Sequence, residues 1–508
     1  MKRITLILVL LLLNSSFPAN AALEKEDRVW QDETVYSIMI DRFNNGDQNN
    51  DFNVNARNPL AYNGGDIQGI IDKLDYIHDM GFTTIRLTPI FDNTKNGYHG
   101  FWVKDFYKVD EHFGTMKSFQ TLVKEAHKRK MKVLMDFVTN NVAADHPWLS
   151  DSSKKDWFHT EQNITAVNGN QRELEKGWID GLPDLNQDNP EVKKYLLDAA
   201  KWWISKTNID GLSLPEVNYV PKSFWTDFST VVKKKKKDLF LLGVMSNKAS
   251  IDSQEYKDAG IDSVVNYQYS DKLRQTFAST NQSFSILNSA ADKNQQSFLR
   301  ANFMDNEYTT RFTKDIVAKK QFPGSRWKTA LVYLYTTPGI PVVYYGTEIA
   351  LNGGNIPDNR GQMSFRTEKE LIDYITKVGE LRNQLPSLTR GTMEMLYDKG
   401  GMVVYKRVYK GETSIIAINN SSKSQKVTLS NKQIAGGKEL RGLLDGDIVR
   451  SHDNQYFLIL DRDLSEIYVV TEKSGINIPL IASLIVVYLL VSLFLFLVIK
   501  RRKGKNIG

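Results

Sequence analysis

Short β-rich runs alternate with helical stretches between residue 30 and about residue 390, and this alternation limits the fold more than any other feature of the chain. Strands and helices in regular succession are typical of a parallel sheet covered by helices. Eight such units predict an α/β fold, a closed (β/α)8 TIM barrel. The strand candidates are residues 35–40, 83–87, 133–136, 211–214, 239–243, 263–265, 301–304 and 340–344.

Two stretches depart from the alternation. Residues 141–186, after the third strand candidate, form an interval that is longer than an ordinary βα loop and rich in polar and aromatic residues. Such an interval indicates an inserted small domain. Over residues 391–471, alternating strands with turn residues replace the helical pattern and favour an antiparallel β-sandwich. We therefore expect a barrel domain over residues 22–390 and a second domain after it.

Residues 1–21 have the charged, apolar and small-residue order of a secretory signal peptide. We expect cleavage after Ala21. An uncleaved anchor helix is the alternative, but the apolar run, residues 4–13, is short for a membrane span.

The other end of the chain carries a longer apolar segment. Residues 478–499 contain no charge and are long enough to cross a bilayer as one transmembrane helix. A buried core helix is the alternative, but a uniformly apolar helix has no face for water. The basic tail, residues 500–508, follows directly. Because positive residues beside a span stay inside the cell, we expect a single-pass protein of the cell membrane with its large domain extracellular.

Composition narrows the class of protein further. A chain of 508 residues with 41% hydrophobic content is not a disordered protein. It has no cysteine, so no disulfide stabilises the exported part, and a bound metal ion becomes a more plausible source of stability. The net charge of +7 includes five lysines at residues 233–237. Such a run is typical of a solvated helix end, and we expect no nucleic-acid partner, although an anionic surface polymer stays possible.

Residues 41–51 are dense in oxygen ligands. Calcium takes six to eight oxygens from carboxylates, amides and carbonyls. The spacing is not that of an EF-hand, which needs a terminal glutamate. Clusters of Asn, Asp and Gly are also ordinary turns, so a calcium loop and a plain turn both remain open at this point.

Several ordered motifs resemble those of one enzyme family. Residues 210–215, 242–245 and 303–308 resemble three signature strands of the α-amylase family of glycoside hydrolases. The resemblance covers nearly all of the predicted extracellular part, and it implies a barrel with an inserted B domain and a C-terminal domain. The other matching blocks are residues 96–102 with Asp105, 109–110, 113–115, 136–141, 182–186, 338–341, 344–348 and 358–360.

The three catalytic positions that the resemblance implies lack acid–base chemistry. The family ends these three signature segments in a nucleophile, a general acid and a carboxylate that stabilises the transition state. This chain has Pro215, Val244 and Tyr308 there. Proline has no nucleophilic atom, valine transfers no proton, and the phenol of tyrosine is neutral near pH 7. The resemblance therefore predicts an amylase-like body with no catalytic residue at the family positions.

Neighbouring positions differ as well. The family arginine two residues before the nucleophile is Ser213, and two histidines that hold sugar hydroxyls are Asn141 and Glu307. Glu216 follows Pro215 directly, but strand alternation directs it away from the barrel axis or into the following loop. Glu307 has no acid partner opposite it. Neither acid is expected to restore hydrolysis, which needs two carboxyl groups.

The resemblance also implies binding residues. Tyr98 stands at the expected stacking platform, and the substrate-binding set is Tyr98, His99, Trp102, Asp136, Glu307, Asp358 and Arg360. The loop at residues 41–51 resembles the calcium loop of cyclodextrin glucanotransferases and related bacterial amylases, which implies a structural Ca2+. Its implied ligands are Asn45, Asp47, Asn50, Asp51, the carbonyl of Gly64, and Asp66. A second calcium site of the family, between barrel and B domain, implies Asn140 and Asp184.

Three functions fit these observations. The leading hypothesis is a membrane-anchored extracellular pseudo-glycosidase that binds an α-glucan, a cell-surface polysaccharide or a membrane protein partner and turns over nothing. The second is an active α-glucan hydrolase or transferase with displaced catalytic residues. The third is pure carbohydrate binding, with aromatic residues such as Trp148, Trp157 and Trp178 stacked on sugar rings. Packing of the same aromatic residues in the core is the alternative to this third reading.

Overall fold

A computed structural model describes residues 28–164, 170–245, 253–265, 267–288, 298–473 and 478–504. The predicted signal peptide, residues 1–21, lies outside the described residues, as do residues 505–508 of the basic tail. Eight strands close into a barrel, and each predicted strand is present within two residues of its expected bounds. The (β/α)8 prediction is therefore confirmed. The strands are β1 Val35–Ile38, β2 Thr84–Leu87, β3 Lys132–Asp136, β4 Gly211–Pro215, β5 Phe240–Val244, β6 Ser263–Val265, β7 Leu299–Phe303 and β8 Ile340–Tyr344.

The barrel closes in chain order. Each strand pairs in parallel with the next, and β1 closes the ring because Val35 is in register with both Thr84 of β2 and Val342 of β8. Helices cover the outside. Two of them begin after Thr115 and Asn189, whose side chains cap free backbone N–H groups. The barrel helices of six or more residues are Ile67–Asp72, Leu74–Asp79, Met116–Lys128, Pro190–Thr207, Lys222–Lys235, Ser253–Asp258, Tyr267–Phe277, Phe312–Ala318, Pro323–Thr336 and Glu370–Gln384.

The inside of the barrel is polar on one half and apolar on the other. Side chains alternate between the two faces of a strand, so one residue near the end of each strand faces the axis. On β1 to β4 the inward residues near the strand ends are Ser37, Arg86, Asp136 and Ser213, which are joined by hydrogen bonds. On β5 to β8 they are Val244, Val265, Phe303 and Val342, which belong to one apolar cluster.

Between β3 and the helix Pro190–Thr207 the chain forms only short elements, among them the paired strands Asn163–Ile164 and Trp178–Ile179. Trp157 is buried there, and Trp148 and Tyr195 contact its ring. Packing thus accounts for Trp157.

Two lysines of the run at residues 233–237 make specific contacts, since Lys233 binds Asp262 and Lys236 binds the carbonyl of Ile209. Both contacts lie at the amino-terminal end of the barrel.

The C-terminal domain is an antiparallel sandwich. A six-stranded sheet packs on a two-stranded sheet. Its core combines residues of both sheets, such as Val404 and Ile415 with Val427 and Leu458. The strands are β9 Thr392–Lys399, β10 Met402–Tyr409, β11 Glu412–Asn419, β12 Gln425–Ser430, β13 Lys438–Gly442, β14 Ile448–Arg450, β15 Gln455–Leu460 and β16 Ser465–Glu472. The order in the larger sheet is β9-β10-β11-β16-β13-β14, and β12 pairs with β15 in the smaller one.

A single long helix, Ile478–Gly504, follows the sandwich. Its segment Ala482–Ile499 is apolar and long enough to cross a membrane, and no part of that segment is buried against the rest of the protein. The length and composition are those predicted for a transmembrane helix.

Candidate ligand-binding site

Two of the positions where the family carries catalytic carboxylates lie side by side at the carboxyl ends of β4 and β5. Pro215 is in register with Val244. Val244 is only 1% exposed and packs in the apolar cluster with Val265 and Phe303. The position of the general acid is therefore part of the barrel core.

Tyr308 stands where the family places its third carboxylate, just beyond β7. Its ring is 5.6 Å from the ring of Phe101. Burial, and after it the carboxylates of Glu216 and Glu307, raises the pKa of Tyr308 well above its usual value, so the phenol is neutral. Tyr267 stands nearby, edge-on to Phe303 at 5.0 Å. Aromatic rings thus line the opening of the barrel at the carboxyl ends of its strands, which we call the mouth.

Arg86 is the centre of the polar half of the barrel. Its Nε donates to Asp136 Oδ1 at 2.8 Å, and its Nη2 donates to Asp136 Oδ2 at 2.7 Å. The same Nη2 donates to Glu307 Oε1 at 2.7 Å. Both carboxylates are 0% exposed. One guanidinium, with a single positive charge, therefore holds both acids that the sequence placed in the substrate-binding set.

The pKa values of this pair move apart. Burial raises the pKa of Asp136 to about 7, although Arg86 acts in the opposite direction. Burial also opposes the ionisation of Glu307, but Arg86 outweighs it and lowers the pKa of that carboxyl below its usual value. Such a difference is typical of an acid and a base that share a site. Both carboxyl groups, however, are buried and bound to the Arg86 guanidinium, so neither is open to a ligand.

Glu216 is the other acid near the mouth. It adopts a left-handed backbone with φ of 55°, which ends the strand alternation at Pro215. The carboxyl is therefore not constrained to the outer face of β4, and it raises the pKa of Tyr308 and of Tyr267. Burial, and then Asp180, raises the pKa of Glu216 to about 7. Glu216 is half-buried and faces the same mouth as Tyr308.

The predicted stacking residue Tyr98 is 2% exposed. The guanidinium of Arg42 lies 4.0 Å from the centre of its ring, and Arg360 Nη1 donates to its hydroxyl at 3.3 Å. A sugar would stack on this ring only after neighbouring side chains moved. His99 is buried beside it, and burial, followed by Arg360 and Arg42, lowers the pKa of His99 well below its usual value. The imidazole is neutral and accepts a hydrogen bond from the backbone of Phe101.

The remaining predicted binding residues lie in two places. Some contact the floor of the barrel, the buried region around Arg86, Asp136 and Glu307, and others lie at the rim, the exposed edge of the mouth. Trp102 is partly exposed and lies edge-on to His99 at 4.5 Å. Arg360 Nε donates to the carbonyl of Glu307 at 3.2 Å, whereas Asp358 is exposed and caps its own loop through Gly354. Asn359, which the sequence did not single out, is buried and donates to the carbonyl of Glu307 at 3.0 Å.

The loop at residues 41–51 partly fits a calcium ion. Asn45 Nδ2 lies 2.9 Å from Asp51 Oδ1, and Asn50 Oδ1 is buried without a hydrogen-bond partner. A Cβ added at Gly64 would lie 2.8 Å from Asp51 Oδ1, so the backbone lies close to that carboxylate. Asp66 differs, because it caps a helix through Gly69 and also accepts from the backbone of Asp47. Asp47 itself accepts from Asn49 at the exposed side of the loop.

The second implied calcium position also brings oxygen atoms together. The Asn140 side chain lies between the carbonyl of Tyr219 and Oδ1 of Asp184, and only a turned amide would donate to both. Burial raises the pKa of Asp184 well above its usual value, and His159 contacts its other oxygen at 2.5 Å. Three oxygens around one point suit a cation. In the described part of the chain, no cluster of three or more His, Cys, Asp or Glu residues forms a metal site, so amides and carbonyls would have to complete either one.

Comparison with protein families matches two models. The α-amylase catalytic domain matches residues 37–377, and the α-amylase C-terminal domain matches residues 391–468. A β/α-amylase of Paenibacillus polymyxa is 34% identical over 85% of this chain and 37% of its own length. A cyclomaltodextrinase of Thermoanaerobacter pseudethanolicus is 33% identical over 80% of this chain and 72% of its own. The chain thus spans little more than a third of the first relative and nearly three quarters of the second.

Two crystal structures resemble the chain over most of its length. An Anoxybacillus α-amylase is 54% identical, covers 89% of this chain and 100% of its own, and superposes with a TM-score of 0.85. The α-amylase of Geobacillus thermoleovorans, crystallised with acarbose, is 51% identical, covers 88% and 100%, and has the same TM-score of 0.85. The chain therefore belongs to the α-amylase family.

Proposed function

We propose that this protein is a membrane-anchored α-amylase homologue that binds an α-glucan at the cell surface without hydrolysing it. One observation carries the proposal. The acids Asp136 and Glu307, deep in the barrel, are both fully buried and held by the same guanidinium. A retaining glycosidase needs one carboxylate free to attack the anomeric carbon and a second carboxyl group to protonate the leaving oxygen.

The ligand class follows from the family and from the mouth of the barrel. The relatives include a cyclomaltodextrinase and an α-amylase crystallised with acarbose, both of which point to α-linked glucose chains. Phe101 and Tyr308 are partly exposed at the mouth, and aromatic faces of this kind stack on sugar rings. Calcium at the two oxygen-rich sites would stabilise the fold without taking part in chemistry. A cell-surface polysaccharide or a membrane protein partner remains an outcome of the test below.

The proposed location rests on the C-terminal helix. Its exposed apolar segment, Ala482–Ile499, would span the bilayer, and the basic residues after it would lie in the cytoplasm. The barrel and the sandwich would then stand outside the cell.

A second candidate is an active hydrolase or transferase with displaced acids. Two observations favour it: the Anoxybacillus α-amylase shares 54% of its sequence with this chain, and Glu216 has a pKa of about 7, which suits a general acid. It lacks a free nucleophile, because Glu307 is held by Arg86.

Calorimetry of the full chain in detergent with calcium separates the two. Maltoheptaose should give saturating heat and no shorter products by chromatography, and acarbose should compete with it. Phe101→Ala should weaken binding, with Phe457→Ala, a partly exposed residue of the C-terminal sandwich, as the control. Continuing heat with product formation would establish the second candidate, and its loss in Glu216→Gln or Glu307→Gln would identify the acid. A flat trace from folded protein would redirect the search to other polymers or protein partners.

A further inference from the structure

We propose that Arg86 is a relocated arginine. It takes over, from β2, the place of the arginine that the family carries on β4 at the position of Ser213, and it keeps the floor of the barrel permanently occupied. The inference deepens the proposed function, because it explains how a barrel without catalytic carboxylates tolerates two buried acids.

Strand order places the two positions on either side of one carboxylate. β3 lies between β2 and β4, and Asp136 on β3 is in register with Ser213 on β4. Arg86 reaches the same carboxylate from the opposite side. Its Nε also donates to the hydroxyl of Ser213 at 2.9 Å. The guanidinium therefore lies against the side chain that has replaced the family arginine.

The hydrogen bonds of Arg86 are those of an arginine built into its site. Besides Asp136 and Ser213, Nη1 donates to Ser37 Oγ at 3.0 Å and Nη2 to Glu307 Oε1 at 2.7 Å. Arg86 is 3% exposed. A buried cation of this kind is tolerated only when anions and acceptors surround it.

Glu307 completes the exchange. The family has a histidine there that holds sugar hydroxyls, whereas this carboxylate is turned to Arg86. A sugar hydroxyl that approached the floor would have to displace a buried, charge-assisted hydrogen bond, which is stronger than a neutral one. Arg86 is thus a positioning residue that excludes a sugar ring from the floor. Any ligand is confined to the rim, where Phe101 and Tyr308 are partly exposed.

Urea denaturation of the full chain in detergent tests the relocation without any ligand. Arg86→Met should lower the urea midpoint, because it leaves Asp136 and Glu307 without their cation. Adding Ser213→Arg to that variant should recover about half or more of the loss, because the arginine returns to the other side of the same carboxylate. Adding Ser213→Met instead supplies volume without charge and should recover none.

Equal midpoints for the two double variants would overturn the inference. If Arg86→Met alone fails to fold, circular dichroism of the double variants decides, since only the variant with Ser213→Arg should fold. The measurement needs no saccharide, so its failure would leave glucan binding untouched. A failure to bind glucan would equally leave the relocation untouched.

Discussion

Nη2 of Arg86 lies 2.7 Å from Oδ2 of Asp136 and 2.7 Å from Oε1 of Glu307. One positive charge therefore serves two buried carboxylates. Removing the shared cation and removing one of the anions should have very different effects, because only the first leaves a buried charge without compensation.

Arg86→Met is expected to destabilise the protein by about 3–5 kcal/mol, the usual cost of breaking a buried ion pair on one side. Glu307→Gln should change the free energy of unfolding by less than about 1 kcal/mol, because Arg86 and Asp136 then form a balanced pair. Loss of the Glu307 charge should also lower the pKa of Asp136 from its value of about 7. Urea denaturation of both variants at pH 7 provides the test, and equal losses would contradict the shared-cation account.

Restoring the catalytic carboxylates alone should not restore hydrolysis. In the triple variant Pro215→Asp, Val244→Glu and Tyr308→Asp, the Arg86–Glu307 contact still occupies the floor. Adding Glu307→His and Arg86→Met with Ser213→Arg should open the floor and give release of reducing sugar from maltoheptaose. The comparison is informative only for folded variants, because Val244 lies in the core and a glutamate there carries a desolvation cost. Full activity in the triple variant would show that Arg86 does not obstruct the site.

Glu216 should make stability depend on pH. Its pKa rises from 4.5 to about 7 on folding, so below pH 4.5 the carboxyl is protonated in both the folded and the unfolded state. Between those values only the unfolded state ionises, and stability falls as the pH rises. Glu216→Gln should therefore be more stable than the parent by about 1–3 kcal/mol at pH 8 and no more stable at pH 4. Thermal unfolding at the two pH values checks this, and a constant difference would contradict it.

Calcium should raise the melting temperature. An ion that binds only the folded state at 100 times its dissociation constant stabilises by about 2.7 kcal/mol. Melting in calcium and in a chelator measures the effect. Asp51→Ala should reduce it, because Asp51 lies beside Asn45 and Gly64, whereas Gln48→Ala, an exposed residue of the same loop outside the implied ligand set, is the control. If calcium stabilises both variants as it does the parent, the loop does not bind it, and Asp184→Asn should be examined next.

The C-terminal helix should anchor the protein. The full chain is expected in the membrane pellet after alkaline extraction, and a chain that ends at residue 473 is expected in the supernatant. The described part of the helix supports the expectation, because its apolar segment is exposed along its whole length. Release of the full chain by alkali would contradict it.

Much of the fold follows from local pattern. All eight barrel strands were predicted within two residues, because short buried strands between amphipathic helices leave few alternatives. The alternating strands and turn residues of the C-terminal domain predict the sandwich equally well. For Glu216 the sequence leaves two placements, away from the barrel axis or into the following loop, and the structure has the second, because the left-handed backbone of Glu216 ends the strand at Pro215.

The centre of the candidate site could not be derived from the family motifs, because Arg86 lies outside them. Its pairing with Glu307 joins residues 221 positions apart in the chain, which only the closed barrel brings together. One signal was present: a charged residue at an inward position of the β-branched run Thr83–Leu87 needs a buried partner. The same reasoning shows why Tyr98 was expected to be open, since no motif reveals that Arg42 covers its ring.

Only residues 473–477 separate the last strand of the sandwich, Ser465–Glu472, from the helix Ile478–Gly504. Even a fully extended chain of that length reaches about 20 Å. With the helix in a bilayer, this short linker would hold the barrel close to the lipid and limit how far it could move from the membrane. A polymer in the medium would therefore be bound only where it reaches the membrane surface. The protein would bind polymer in the layer next to the membrane and not polymer farther out.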